Sequence, residues 1–319
     1  MIQDAAPLQV EDLRVAFATE GGSLTAVDGI SFVLQAGRTL GLVGESGCGK
    51  SVTALSLLGL VPAPGHITGG RILYGGDDLL SITEPQLAAL RGKRIGMIFQ
   101  EPMTALNPVF SVGAQVAEAL WLHEPVSKAD AHIQAVQMLE RVGIADAAVR
   151  ADSYPHQLSG GMRQRVMIAM ALICKPDILI ADEPTTALDV TVQAQILDLV
   201  LEMQAELGLA VLFISHDLGV VSEIADDVMV MYAGRVVEQA PATQLFTKPN
   251  HPYTQGLIAT LPQSYQKDER IPAIPGQVPD LRELTQGCAF APRCPIAEDR
   301  CRSETPPLVG GTACWKVGA

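Results

Sequence analysis

The chain has 319 residues, 48% of them hydrophobic, and a formal net charge of −13. The apolar share supports a sizeable core and excludes general disorder, and the length suits about two domains. The acidic balance argues against nucleic-acid phosphates as a partner and against a polybasic membrane anchor.

No apolar run approaches the ~18 residues of a membrane span; the nearest, 166–174, reads as a buried helix segment. Met1-Ile-Gln-Asp-Ala-Ala6 shows no basic stretch followed by an apolar one, so no secretory leader is expected and the reading is a soluble cytoplasmic protein. Residues 8–17 alternate apolar and polar (Leu8, Val10, Leu13, Val15, Phe17), the pattern of a half-buried strand. Gly21-Gly22-Ser23 is a turn, and 26–34 and 71–74 are further strand candidates, so 1–100 reads as a mixed sheet. Phe17 offers either a flat face for a nucleotide base or a packing side chain.

Within that region 39–43 suits a short buried strand and 51–60 has helical composition. Between them Gly44-Glu-Ser-Gly-Cys-Gly-Lys-Ser51 fits the phosphate-loop pattern G-x-x-x-x-G-K-[ST] at every fixed position. Such a loop turns successive backbone N–H groups toward phosphate oxygens. Lys50 is expected to reach the β- and γ-phosphates, and the Ser51 hydroxyl to ligate Mg²⁺.

Residues 103–165 change character. Pro102 and Pro108 lead into helical patterns at 112–122 and 127–142, a helical insertion. The second helix opens Ser127-Lys-Ala-Asp130, a capping box, carries Ile133, Val136, Leu139 and Val142 on one face, and stops at Gly143. In Leu158-Ser-Gly-Gly-Met162, Ser159, Gly160 and Gly161 present a hydroxyl and close backbone N–H groups at a helix start, both an N-cap and a phosphate cradle. Strand-like runs return at 177–181 and 210–214 with a helix at 192–207 between them, and this alternation implies parallel strands. The first run ends in Asp182 and Glu183, placed to hold Mg²⁺ through water and to polarise a water attacking the γ-phosphate. A Ser215-His216-Asp217 nucleophilic triad is excluded, because neighbours on an extended chain point to opposite faces.

Together the phosphate loop, Leu158-Ser-Gly-Gly-Met162, Ile180-Ala-Asp-Glu-Pro184, Ala187-Leu-Asp189 and Ile214-Ser-His-Asp217 resemble, in this order over roughly 8–240, the ATP-binding cassette ATPases. The resemblance implies a P-loop NTPase of α/β class: a RecA-like core with an antiparallel β subdomain (1–100 and 166–240) and a helical subdomain (101–165). It also implies site roles. ATP would be held by Gly44, Glu45, Ser46, Gly47, Cys48, Gly49, Lys50, Ser51 and Val52, with Phe17 stacking on adenine. Mg²⁺ would be held by Ser51, Gln100 and Asp182. Glu183 would be the base, Gln100 would sense the metal and the attacking water, and His216 would contact the γ-phosphate. Ser159, Gly160, Gly161 and Asp189 would serve the site of an opposite cassette, so that ATP bridges two half-sites and hydrolysis removes the bridge.

After Gly234, prolines 241, 249, 252, 262, 272, 275 and 279 crowd a region of few periodic segments, so 241–319 reads as a small, loop-rich extension. Asn250-His-Pro-Tyr-Thr254, Ile274-Pro-Gly-Gln-Val-Pro279 and Gly287-Cys-Ala-Phe-Ala-Pro-Arg-Cys-Pro295 resemble the extension of the oligopeptide, dipeptide and nickel importer branch. Cys288, Cys294, Cys301 and Cys314 are spaced C-x5-C-x6-C-x12-C. In a cytosolic protein such a cluster suits metal more than disulfides, and thiolates suit a [4Fe–4S] cluster or zinc. The branch implies the cluster, as a structural pin. It further implies a homologous second ATPase subunit, two permease subunits docked near 101–113, an extracytoplasmic substrate-binding protein, and a peripheral position on the cytoplasmic face of the membrane. Peptide is the expected cargo, with nickel or glutathione as alternatives. A non-transport cassette ATPase of DNA repair or translation would carry coiled coils or tandem cassettes, and neither occurs here.

Overall fold

The computed structural model describes residues 8–186, 188–261, 273–282 and 286–317. The expectations resting on Met1 to Ala6, on Ala187 and on prolines 262 and 272 lie outside them. The strands are β1 (Leu8–Thr19), β2 (Gly22–Leu34), β3 (Thr39–Val43), β4 (Gly65–Tyr74), β5 (Asp77–Asp78), β6 (Ile95–Ile98), β7 (Ile178–Asp182), β8 (Ala210–Ser215), β9 (Asp227–Tyr232) and β10 (Arg235–Pro241). The chain divides into two compact units. One holds 34–38 and 81–212; the other holds 8–33, 39–80 and 213 onward.

In the first unit β6 and β7 are paired in parallel, with Ile95 opposite Ile178 and Ile98 opposite Ala181, and the first half of β8 lies next to β7. β7 and β8 are buried along their whole length, as strands covered on both faces must be. Helices Val112–Trp121, Lys128–Arg141 and Gly160–Leu172 pack on one another. Lys128–Arg141 starts at the expected N-cap: Ser127 Oγ accepts the Asp130 backbone N–H at 3.1 Å and donates to the Asp130 carboxylate at 2.7 Å, and Gly143 takes φ +81° at the other end. Its buried face is Ala131, Ala135, Met138, Leu139 and Val142, whereas Ile133, one of the expected core positions, is 56% exposed. The reason is helical phase: Ile133 lies about 200° round the helix from Ala131, opposite the face that Ala135, Met138, Leu139 and Val142 share. On the neighbouring helix Gly113 leaves room, since a Cβ there would lie 2.7 Å from the Ala151 methyl.

The second unit contains an antiparallel sheet in the order β2-β1-β4-β5 and, separately, β10, β9, β3 and the second half of β8 in that order. The strands of the first hundred residues thus fall into two sheets, not one. β3 and β9 run parallel, β9 and β10 antiparallel. β4 begins at Gly65, six residues before the expected 71, because Gly65, Gly69 and Gly70 mask the strand pattern. These glycines have a purpose: a Cβ on Gly70 would meet the Glu11 and Asp12 carbonyl oxygens at 2.6 Å, where β1 bulges.

The region expected to be loop-rich carries helices Ala242–Thr247, Pro252–Ala259 and Asp299–Ser303. It is tied to β10 by main-chain bonds. The Gln239 N–H donates to the Gly311 carbonyl at 2.8 Å, the Ala313 N–H donates to the Val237 carbonyl at 2.8 Å, and Glu238 bridges to Thr312. The Glu238 carboxylate, 1% exposed, accepts the Asn250 and His251 backbone N–H groups at 2.7 and 2.9 Å. That is the satisfaction a buried carboxylate requires.

Candidate functional site

In the second unit the buried strand β3 delivers the chain into the loop Gly44–Ser51 and then into the helix Lys50–Leu57, whose start lies one residue before the expected 51. The loop curls because three glycines adopt positive φ: +155° at Gly44, +79° at Gly47 and +106° at Gly49. A Cβ on Gly44 would lie 2.3 Å from the Met231 carbonyl oxygen, and one on Gly49 2.5 Å from that of Ala26. Both positions therefore exclude any side chain. Lys50, 5% exposed, donates from Nζ to the Gly44 and Glu45 carbonyl oxygens at 2.8 and 3.1 Å. Its ammonium is thus held over the concave side of the loop. Burial raises the Cys48 thiol pKa, so that side chain is neutral packing. Ser46 and Gly47 are exposed; Ser51 and Val52 are half-buried in the first turn. Phe17 is half-buried opposite Gly65, and a Cβ there would lie 2.5 Å from its ring. His216 is exposed directly after β8. Beside it the Asp217 N–H donates to Ser215 Oγ at 3.0 Å, and Asp217 Oδ1 accepts the Gly219 N–H at 2.8 Å. Ser215 and Asp217 are therefore occupied with turn and cap, in agreement with the exclusion of a triad.

In the first unit the structure brings Gln100 and Glu183 together. Glu183 Oε2 accepts from Gln100 Nε2 at 3.0 Å and from Thr186 Oγ1 at 2.9 Å. Glu183 has φ +48°, a left-handed conformation that costs a non-glycine residue roughly 1–3 kcal/mol and that concentrates at functional sites. Asp182, one residue earlier at the end of β7, is 4% exposed. Two helix N-termini stand side by side in the same unit. Ser159 caps Gly160–Leu172 by accepting the Met162 N–H at 3.3 Å, and Asp189 caps Val190–Leu207 by accepting the Val192 N–H at 2.9 Å. Gly161 permits the approach, since a Cβ there would lie 2.8 Å from Val192 Cγ1. Ser159 and Gly160 are exposed at this paired terminus.

The four C-terminal cysteines form no disulfide. Desolvation raises the pKa of Cys288, with Cys301 and Cys294 adding to it; it raises Cys294 likewise, with Cys314 and Cys301 adding. The thiols therefore share one electrostatic neighbourhood. The tighter gathering expected from their spacing is not found: among the described residues no group of three or more His, Cys, Asp or Glu side chains is placed to hold a metal ion.

Sequence reading missed the partners of Glu45. Tyr253 accepts its backbone N–H at 3.0 Å, and Arg293 grips its carboxylate from Nη1 at 2.7 Å and Nη2 at 3.1 Å. Tyr253 lies inside Asn250–Thr254 and Arg293 inside Gly287–Pro295, both singled out in the sequence, but nothing local marks either as a partner of Glu45.

The ABC transporter family matches residues 27–186, and the C-terminal region of oligopeptide/dipeptide transporters matches 237–301. The chain is 52% identical over 316 residues to the probable peptide ABC transporter ATP-binding protein y4tR of Sinorhizobium fredii, covering 97% of this chain and 94% of that one. It is 52% identical to the oligopeptide transport ATP-binding protein OppD of Salmonella typhimurium (94% and 89% covered) and 49% identical to the dipeptide transport ATP-binding protein DppD of Escherichia coli (94% and 92%). Among solved structures, the dimeric post-hydrolysis ATP-binding cassette MJ0796 bound to ADP and Pi is similar with a TM-score of 0.66 and 25% identity, covering 74% of this chain and 98% of that one. The P-loop cassette fold is thus that of an ABC ATPase. Within that class, the chain belongs to the ATP-binding proteins of the peptide, dipeptide and oligopeptide importer family.

Proposed function

We propose that this chain is the subunit that binds and hydrolyses ATP to energise import of peptides. The observation that carries the reading is Glu183, held in a strained turn at the end of a buried strand with its carboxylate fixed by Gln100 and Thr186. In hydrolysis, water attacks the γ-phosphorus, the bond to the β-phosphate oxygen breaks, and Glu183 takes the proton of the attacking water. Lys50 steadies the β- and γ-phosphates, the loop N–H groups cradle them, and Phe17 stacks on adenine. His216 contacts the γ-phosphate. Ser51, Gln100 and Asp182 offer the hydroxyl, amide and carboxylate oxygens that Mg²⁺ takes, and bound there the ion would neutralise charge building on the phosphates.

Ser159, Gly160, Gly161 and Asp189 serve the ATP of a second cassette. The paired helix N-termini at Gly161 and Val192 support this, because two such ends favour an anion. A homologous partner subunit, two permeases and a substrate-binding protein complete the assembly, peripheral to the cytoplasmic face of the membrane. Met103, Val109 and Phe110, more than half exposed, support a permease-docking role for 101–113. Among the described residues no helix is long and apolar enough to cross a membrane. Peptide as cargo rests on the relatives' descriptions, with nickel and glutathione as the alternatives.

The direct test is Glu183→Gln, which removes the base but keeps the shape. ATP hydrolysis should fall by roughly 10²–10⁴-fold while ATP binding persists and traps a closed pair of cassettes. Hydrolysis at the normal rate would overturn the assignment. A metal cluster on Cys288, Cys294, Cys301 and Cys314 is a second, separable part of the proposal, supported by the shared neighbourhood of the thiols. Protein purified without oxygen should carry about four irons per chain; iron-free, colourless protein removes the [4Fe–4S] cluster.

A further inference from the structure

The second residue of the phosphate loop is an acid. Glu45 puts a carboxylate into a turn whose task is to hold polyphosphate, and like charges at such range repel. The structure shows how that charge is met. Arg293 reaches Glu45 across 248 positions of sequence and grips both carboxylate oxygens with both terminal nitrogens, at 2.7 and 3.1 Å. This is the forked geometry in which a guanidinium matches a carboxylate. The guanidinium is itself fixed: its side chain is 5% exposed, Nε donates to the Pro275 carbonyl at 3.0 Å, and Nη1 also donates to the Tyr232 hydroxyl at 3.2 Å. Tyr232 meets Tyr253 and Phe290 edge to face, at centroid distances of 4.6 and 5.3 Å, and the guanidinium lies against the Tyr232 and Phe290 rings. From the same cluster the Tyr253 hydroxyl accepts the Glu45 N–H at 3.0 Å. Side chain and main chain of Glu45 are therefore both held by the region after residue 250.

We propose that Arg293 is a positioning residue for nucleotide binding, neutralising Glu45 and fixing the phosphate loop in its receptive shape. The inference rests on the reading of 44–51 as the nucleotide loop. It makes the C-terminal region part of the ATP site's support.

The test is calorimetric titration of the full-length chain with MgATP, with folding checked by circular dichroism. Arg293→Ala should weaken binding by about tenfold or more, because an unneutralised carboxylate then faces the phosphates. Removing that carboxylate as well, in Glu45→Gln/Arg293→Ala, should recover most of the loss. A merely structural arginine would show no such rescue. Arg293→Lys, which keeps the charge and loses the fork, should fall between, and it carries the test together with Glu45→Gln/Arg293→Lys if the alanine variant does not fold. Unchanged affinity in folded Arg293→Ala, or no recovery in the double variant, overturns the proposal. Lys50→Ala serves as the separate control: if it binds MgATP as the parent does, the nucleotide loop itself is misassigned, whatever Arg293 does.

Discussion

The phosphate loop and the acid-bearing turn after β7 reach their working shapes by different means. The loop is glycine-shaped and held from afar: its second residue depends on Tyr253 and Arg293, residues more than two hundred positions away. The turn keeps a side chain in a backbone conformation that side chains avoid, and holds it with Thr186, three residues on, and Gln100. In the loop, glycines remove side chains and support comes from outside. At Glu183 the side chain is kept and the backbone bears the strain.

Three substitutions would break or sharpen this contrast. Gly49→Ala should have the largest effect on stability, about 2–5 kcal/mol, since its Cβ meets the Ala26 carbonyl at 2.5 Å and its φ is +106°. Gly47→Ala, with φ +79° and nothing within 4 Å, should lose only the roughly 1–2 kcal/mol of the left-handed backbone; thermal melting separates the two. Between them in size lies a pH effect on the distant support. His251 Nδ1 accepts the Tyr253 N–H at 3.1 Å, and burial pushes the His251 pKa down to about 4. An unfolded histidine binds its proton near pH 6.5, so between pH 6.5 and 4 the unfolded chain holds more protons. Stability should therefore fall with pH in this window, by about 2–3 kcal/mol between pH 7.5 and 4.5 in urea titrations. His251→Asn, which keeps a capping side chain and cannot be protonated, should flatten that part of the slope. An unaltered slope would place the sensitivity elsewhere.

The chemistry of the chain was more legible than its supports. The phosphate loop, Asp182-Glu183 and the caps at Ser127 and Ser159 are local patterns, fixed by a few consecutive residues, and the structure places them as strand-ends and helix starts, whereas the cap formed by Asp189 was not read. Helix Lys128–Arg141 was readable in extent and in most of its buried face, since Leu139 and Val142 are buried as expected, but Ala131 and Ala135 on that face went unread because alanine contributes little to a hydrophobic pattern, and Ile133 was wrongly placed inside. The helix Pro252–Ala259 was hidden by surrounding prolines, although Pro252 sits at its first position, where a missing N–H costs nothing. Arg293 was unreadable in principle, because its meaning lies in a carboxylate 248 positions away.

The pairing of residues 311–313 with β10 has a consequence for anyone shortening this protein. β10 is the outermost strand of its sheet, and the Gly311 carbonyl and Ala313 N–H occupy its Gln239 and Val237 main-chain groups. A truncation before residue 309 would bare that hydrogen-bonding margin next to Val236 and Val237, offering a sticky border to which other chains can add. Clumping of such a fragment would then report an uncovered seam.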